Sequence, residues 1–135
     1  MTDIVAYRGD FILIIGIGTD IIEIERIKQA VMASAGRFAT RVFTPEEIAY
    51  CQSKKNPYPS FAARFAAKEA VLKALGCGFS GVRWQDIEVV KQDGAPRILL
   101  RGKTLEIARG LGVSQVMISL AHSNSHAVAY AVALG

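Results

Sequence analysis

The sequence predicts an α+β fold, with an antiparallel sheet packed on one long helix and several shorter ones. Three observations carry that expectation. The apolar, largely β-branched run from Phe11 to Gly18 reads as a buried strand. Arg64 to Gly76 is rich in Ala, Leu, Lys and Glu, all strong helix formers, and reads as a helix. The second half of the chain holds two pairs of apolar runs, each pair set for a hairpin, with a short helix between the pairs.

The elements follow in order. Met1 to Asp10 carries mixed charge and no period, so it is expected to fray. Residues 1–11 are read as an N-terminal extension and 12–135 as a single domain, as suits a chain of 135 residues. Gly16 and Gly18 flank Ile17 and are expected to admit another backbone or a ligand at close range. Their spacing is neither a dinucleotide fingerprint nor a P-loop. Asp20 is placed at the end of the strand, where a carboxylate often serves as a helix cap.

Ile24, Ile27 and Val31 recur at helical spacing, with Glu25, Arg26 and Lys28 on the opposite face, until Gly36 breaks the pattern. Thr44-Pro45-Glu46-Glu47 combines a capping Thr, a Pro at the first helical position and a Glu three residues after the Thr. Asn56-Pro57-Tyr58-Pro59 is expected to be a stiff loop, because its prolines disfavour a helix interior. Ser60 is then the expected cap of the long helix, and Gly76 its left-handed stop. Ile87–Lys91 and Arg97–Leu100 form a hairpin around Asp93-Gly94. Thr104–Leu111 is a short helix. Gln115–Ala121 and Ala127–Leu134 form a last pair of strands, joined by His122-Ser123-Asn124-Ser125-His126.

Composition narrows the partners. Half the residues are hydrophobic (51%), enough for a core, and the mean hydropathy of +0.28 hints at a buried oligomer face. A net charge of +4 favours an acidic partner. The basic residues form no long run, and no zinc-finger spacing or RNA-binding aromatic motif is present, so nucleic acid is not expected. Cys51 and Cys77 lack a CxxC pattern and are read as free thiols in a reducing cytoplasm. No apolar run reaches membrane-spanning length, and Phe11–Ile17 lacks the basic start and cleavage site of a signal peptide.

Within the long helix the unusual residue is Glu69. At helical spacing it shares a face with Phe65, Leu72 and Lys73. A carboxylate on a partly apolar face needs a positive neighbour. Lys73, one turn on, or a metal ion would each serve, and spacing does not choose between them.

The stretch Arg64-Phe65-Ala66-Ala67-Lys68-Glu69-Ala70-Val71-Leu72-Lys73-Ala74-Leu75-Gly76 resembles the characteristic helix of holo-acyl-carrier-protein synthases, the small 4′-phosphopantetheinyl transferases. Gly16-Ile17-Gly18-Thr19-Asp20-Ile21-Ile22-Glu23-Ile24-Glu25-Arg26-Ile27 resembles the first motif of the same family, and the two stand in the family's order. The likeness runs from about Ile14 to the C-terminus. It implies the family's α+β fold and its reaction. That reaction moves 4′-phosphopantetheine from coenzyme A to a serine of apo-acyl-carrier protein, releases adenosine 3′,5′-bisphosphate and serves fatty acid biosynthesis.

Residue by residue, the resemblance implies that Asp20 and Glu69 hold magnesium. Such a metal takes one or two carboxylates and completes its octahedron with water and substrate oxygens. Lys73 is implied to be catalytic, beside the phosphates, where a cation stabilises the transferring group. Arg64 is implied to contact a coenzyme A phosphate, Gly76 to border the coenzyme, Pro96 to lie near its adenine, and His122 and Ser123 near its 3′-phosphate. Arg26, Arg37 and Arg41 are implied to dock the acidic carrier protein, where rim charges raise association rate and specificity. The nucleophile belongs to the carrier, so no Ser-His-Asp triad is required. The proton acceptor stays open between Glu69 and a metal-bound water, as does manganese in place of magnesium. Relatives form homotrimers with sites between subunits, and the same assembly is implied here.

Two other classes stand beside this reading. A non-catalytic coenzyme A or carrier-binding module would keep Arg64, His122 and the basic face without needing Asp20 and Glu69 together. A basic RNA-associated domain would show binding that falls steeply with salt.

Overall fold

The computed structural model describes residues 12–79, 81–91 and 94–135. The expected extension, Phe11 and Asp93 lie outside the described residues.

The chain runs β1 (Ile14–Glu23), α1 (Ile24–Ala33), α2 (Arg37–Val42), α3 (Pro45–Gln52), α4 (Tyr58–Ala74), a 3-10 turn (Trp84–Asp86), β2 (Ile87–Lys91), β3 (Pro96–Leu100), α5 (Gly102–Leu111), β4 (Gln115–His122) and β5 (His126–Leu134). The strands form a three-stranded sheet in the order β1-β5-β4 and a separate β2-β3 hairpin, all antiparallel. The α+β expectation holds, with the sheet divided in two.

The helix α4 lies across the three-stranded sheet, and small residues on both sides set how close it comes. The inner face of β5 is Ala127, Ala129, Ala131 and Ala133, all fully buried. Ala129, Ala131 and Ala133 meet Ala66, Ala67, Ala70 and Ala74 of α4 in one apolar cluster. A Cβ at Gly16 or Gly18 would run into the backbone carbonyls of Ala74 and Ala70. The two glycines therefore admit another backbone, the first of the two expected reasons for them. This contact holds α4 and β1 in fixed register, and the candidate site is built on both.

Three local expectations need correction. First, Asp20 does not end a strand. It lies inside β1, opposite Ala129, because pairing with β5 runs on to Glu23 and His126. It caps nothing, and the residue before α1 is Glu23. Second, the strand is not buried on both faces, since Ile17 and Ile21 are each 66% exposed. The burial alternates, as expected of a sheet covered on one side only. Third, α4 begins at Tyr58, so Ser60 lies inside it and caps nothing. Proline is tolerated in a first turn, where backbone N–H groups have no helical partner anyway. Pro57 is the residue before α4, and Asn56 Oδ1 accepts from the Tyr58 N–H at 3.3 Å.

The other helix ends follow local chemistry. Thr44 and Glu47 form a reciprocal capping box at α3. Gly76, at φ 67°, closes α4. There the N–H groups of Gly76 and Cys77 donate to the carbonyls of Lys73 and Leu72, both at 3.0 Å, a Schellman motif. Among the described residues no helix is long and apolar enough to cross a membrane.

Candidate active site

The close seat of α4 on β1 brings Asp20, Glu69 and Lys73 together. The Lys73 ammonium donates to the Thr19 carbonyl at 2.9 Å and pairs with Asp20 Oδ1 at 3.2 Å. Among the described residues Lys73 is ion-paired to Asp20 across the elements, and not to Glu69 one turn away on its own helix. Backbone pairing within β1 fixes Asp20, whereas Lys73 is a long side chain free to reach it.

Glu69 is half-buried beside them. Burial raises its pKa above the usual carboxylate range. The charge of Asp20 raises it further, and Lys73 opposes both. Lys73 thus pairs with Asp20 and acts on Glu69 only through its charge. Asp20 and Glu69 border a cleft of about 560 Å³, with Arg26, Phe38, Phe65 and His126 among its other walls.

This donor set fits one class of metal. Among the described residues no group of three or more His, Cys, Asp or Glu side chains converges. Asp20 and Glu69 are two carboxylates at one cleft, few enough for magnesium and its need for water and substrate oxygens. A structural zinc site would require four protein ligands.

Of the remaining sequence-predicted residues only Arg26 lines the cleft. Arg64 does not line the cleft. Nor is it a solvated arginine: it is 4% exposed, its guanidinium stacks 4.1 Å from the centroid of the Tyr50 ring, and its Nε has no hydrogen-bond partner. Lys54 approaches the same ring, 4.8 Å from its centroid. Burial alone would raise the pKa of the Tyr50 hydroxyl. The cations of Lys91, Lys54 and Arg64 together outweigh burial and lower it. Arg64, Lys54 and Lys91 thus gather around Tyr50, and sequence spacing gave no sign of Tyr50, Lys54 or Lys91. They lie on α3, the loop after it and the end of β2, so no sequence spacing joins them.

Pro96 opens β3 opposite Lys91 and borders a groove of about 790 Å³ between β3 and β4. His122 ends β4 and is exposed, with Nδ1 3.2 Å from the Ser123 carbonyl. The Ser123 hydroxyl accepts from the N–H groups of Ser125 and His126, at 3.2 and 3.1 Å, and so braces the β4–β5 turn. His126 lies in a strand, and its Nδ1 is 2.8 Å from Ser125 Oγ. Gly76 is exposed at the end of α4. Arg26 on α1 lines the cleft, and Arg37 and Arg41 stand exposed on α2 nearby in the chain.

A second charged group is buried within the core. Lys68 is fully enclosed and donates to Glu47 Oε1 at 2.8 Å and to the Trp84 carbonyl at 3.2 Å. Glu47 also accepts from the N–H groups of Thr44 and Val89, at 2.9 and 3.0 Å. Glu88 accepts from the Thr44 hydroxyl at 2.7 Å and pairs with Arg101 at 2.9 Å. The capping box pointed to Glu47, but only as a helix start. Cys51 is packed nearby, and burial pushes its thiol up to about 11, far from a reactive thiolate.

Comparison with known proteins identifies the family. Residues 16–131 match the 4′-phosphopantetheinyl transferase superfamily. The chain belongs to this family. Similarity to individual phosphopantetheinyl transferases covers nearly the whole chain. The holo-[acyl-carrier-protein] synthase of Chlamydia caviae is 51% identical over 119 residues, 87% of this chain and 95% of the relative. That of Desulforudis audaxviator is 44% identical over 124 residues, 91% of this chain and 95% of the relative. Among solved structures, the Neisseria meningitidis synthase superposes with a TM-score of 0.80 at 34% identity, covering 90% of this chain and 98% of that one. The Helicobacter pylori synthase, solved in complex with coenzyme A, gives 0.76 at 32% identity, covering 87% and 98%. The expected fold and enzyme class are thereby shown.

Proposed function

We propose that this phosphopantetheinyl transferase moves 4′-phosphopantetheine from coenzyme A to a serine of apo-acyl-carrier protein in a magnesium-dependent reaction. The products are holo-acyl-carrier protein and adenosine 3′,5′-bisphosphate, and the reaction serves fatty acid biosynthesis in the cytoplasm. The observation that carries this reading is the meeting of Asp20 and Glu69 at one cleft, with Lys73 paired to Asp20. Coenzyme A complexes of similar synthases support the donor.

Asp20 and Glu69 are the residues that would hold the metal. When bound, magnesium neutralises pyrophosphate oxygens and favours charge on the leaving group. Lys73 supplies a mobile ammonium beside the same oxygens. The serine hydroxyl arrives with the carrier, and Arg26, Arg37 and Arg41 offer that acidic partner a cationic approach. Arg64, with an unpartnered Nε and sharing the surroundings of Tyr50 with Lys54 and Lys91, is suited to a phosphate of coenzyme A. Pro96, Gly76, His122 and Ser123 take the adenine and 3′-phosphate side.

These coenzyme contacts do not share the Asp20–Glu69 cleft within one chain. A homotrimer would bring them to it from a neighbouring subunit. The outer face of the three-stranded sheet supports that assembly. It presents Ile17, Ile21, Met117 and Tyr130 to solvent, each more than half exposed. Sedimentation equilibrium tests this point, and a monomer at assay concentration would overturn it.

The main test incubates the enzyme with coenzyme A, magnesium and apo-acyl-carrier protein and weighs the carrier by mass spectrometry. The expected gain is one phosphopantetheine, lost with chelator, with Asp20→Ala and with Glu69→Ala. Coenzyme A binding without transfer to any of several carriers would favour a non-catalytic binding module instead.

A further inference from the structure

We propose that Lys73 acts as an internal counter-ion that occupies Asp20 until the substrate's phosphates draw it away, so that metal binding is conditional on the nucleotide. The inference rests on the metal reading above and concerns the order in which the site fills.

The geometry supplies the competition. Lys73 Nζ lies 3.2 Å from Asp20 Oδ1 and is steadied by the Thr19 carbonyl at 2.9 Å. The Asp20 side chain is only 15% exposed, so solvent screens it poorly, whereas that of Lys73 is 54% exposed. The ammonium can leave Asp20 by changing rotamer, whereas the Asp20 backbone is fixed in the β1–β5 ladder. A dication entering at Asp20 therefore meets a cation already seated at one of its oxygens. The two repel, since both seek the same lone pairs.

The other charges at the cleft do not remove this conflict. Arg26 and Glu23 also line it and are of opposite sign. Asp20, Glu69 and Lys73 leave a net charge of about −1 for the metal to meet, against −2 without the lysine. An anionic substrate reverses the balance. Phosphate oxygens offer Lys73 a second seat, and its departure returns Asp20 to the metal. The nucleotide thus favours metal binding in two ways, by its own oxygens and by removing the lysine. By linkage the metal favours the nucleotide equally.

The inference is tested by Mn²⁺ binding, read by electron paramagnetic resonance and calorimetry without turnover. Wild type, Lys73→Met and Lys103→Met are compared. The last removes an exposed charge on α5, away from the site. Without nucleotide, Lys73→Met should bind Mn²⁺ about tenfold more tightly than wild type, while Lys103→Met stays within about twofold. Saturating coenzyme A should tighten Mn²⁺ binding more in wild type than in Lys73→Met, because only wild type has a lysine to release. Binding to Lys73→Met no tighter than to wild type overturns the inference. If Asp20→Ala still abolishes binding in that case, the metal reading survives alone. Failure of every variant to bind Mn²⁺, with or without coenzyme A, overturns both.

Discussion

Two lysines stand five residues apart on α4, and their environments are opposite. Lys68 is fully enclosed, with a buried glutamate and backbone carbonyls around its ammonium. Burial lowers its pKa, and the charge of Glu47 opposes that shift. Lys73 is half in solvent and touches one carboxylate at a longer distance. The first ties α3, α4 and the approach to β2 into one body. The second leans across to β1 and is held by a single, longer ion pair and one carbonyl. Lys68 has no freedom to follow a substrate and every reason to stay. Lys73 has the reverse, so the mobile cation suits the proposed chemistry and the fixed one the core beneath it.

Breaking the buried pair should have the largest effect. Lys68→Met leaves Glu47 charged and unmatched in the core, a change that costs about 3–5 kcal/mol. The expected result is a melting temperature lower by more than about 10 °C in calorimetry. Next comes Lys73→Met, which should leave the melting temperature within about 2 °C of wild type but slow carrier modification about 100-fold, roughly 2.7 kcal/mol of transition-state stabilisation. Equal thermal losses in the two variants would erase the distinction between the lysines.

Gly18→Ala strikes the surface on which both depend. Its Cβ would collide with the Ala70 carbonyl, so α4 must shift away from β1 at a cost of about 1–3 kcal/mol. Transfer should fall more than stability, because the shift separates Lys73 and Glu69 from Asp20. A crystal structure of the variant, or parallel melting and transfer assays, would show it.

The smallest effect sharpens the electrostatics. Glu69 has a raised pKa, so the folded state binds its proton more tightly than the unfolded state does. Stability therefore falls as pH rises from the unfolded carboxylate value, about 4.3, through the raised folded value. Glu69→Gln carries no such penalty. In chelator, it should melt slightly higher than wild type at pH 7, and the gap should close towards pH 4. Melting curves that run parallel across this range would contradict the assignment.

How much was legible in advance depends on the range of each interaction. Thr44 with Glu47 and Gly76 with Cys77 announce their helix ends because the groups involved lie within a few residues of one another. The helix starts before the expected cap Ser60, because a proline in a first turn replaces only an N–H that had no helical partner. Asp20 and Glu69 were named as a pair through motif likeness, and Asp20 was still placed at the wrong point of its strand. Only the partner strand decides where a strand stops.

The sequence by itself determined the α+β class, nearly every element, the glycines that admit a neighbouring backbone, and the residues that place the chain in its family. Those follow from local propensity, periodicity and motif. The tertiary structure decided which charges meet. It gave Lys73 to Asp20 rather than to Glu69, enclosed Lys68 with Glu47, laid Arg64 on Tyr50, and left one face of the sheet apolar and open. Coulombic and stacking contacts depend on distance in space, and elements far apart in the chain set that distance only once α4 has settled against the sheet.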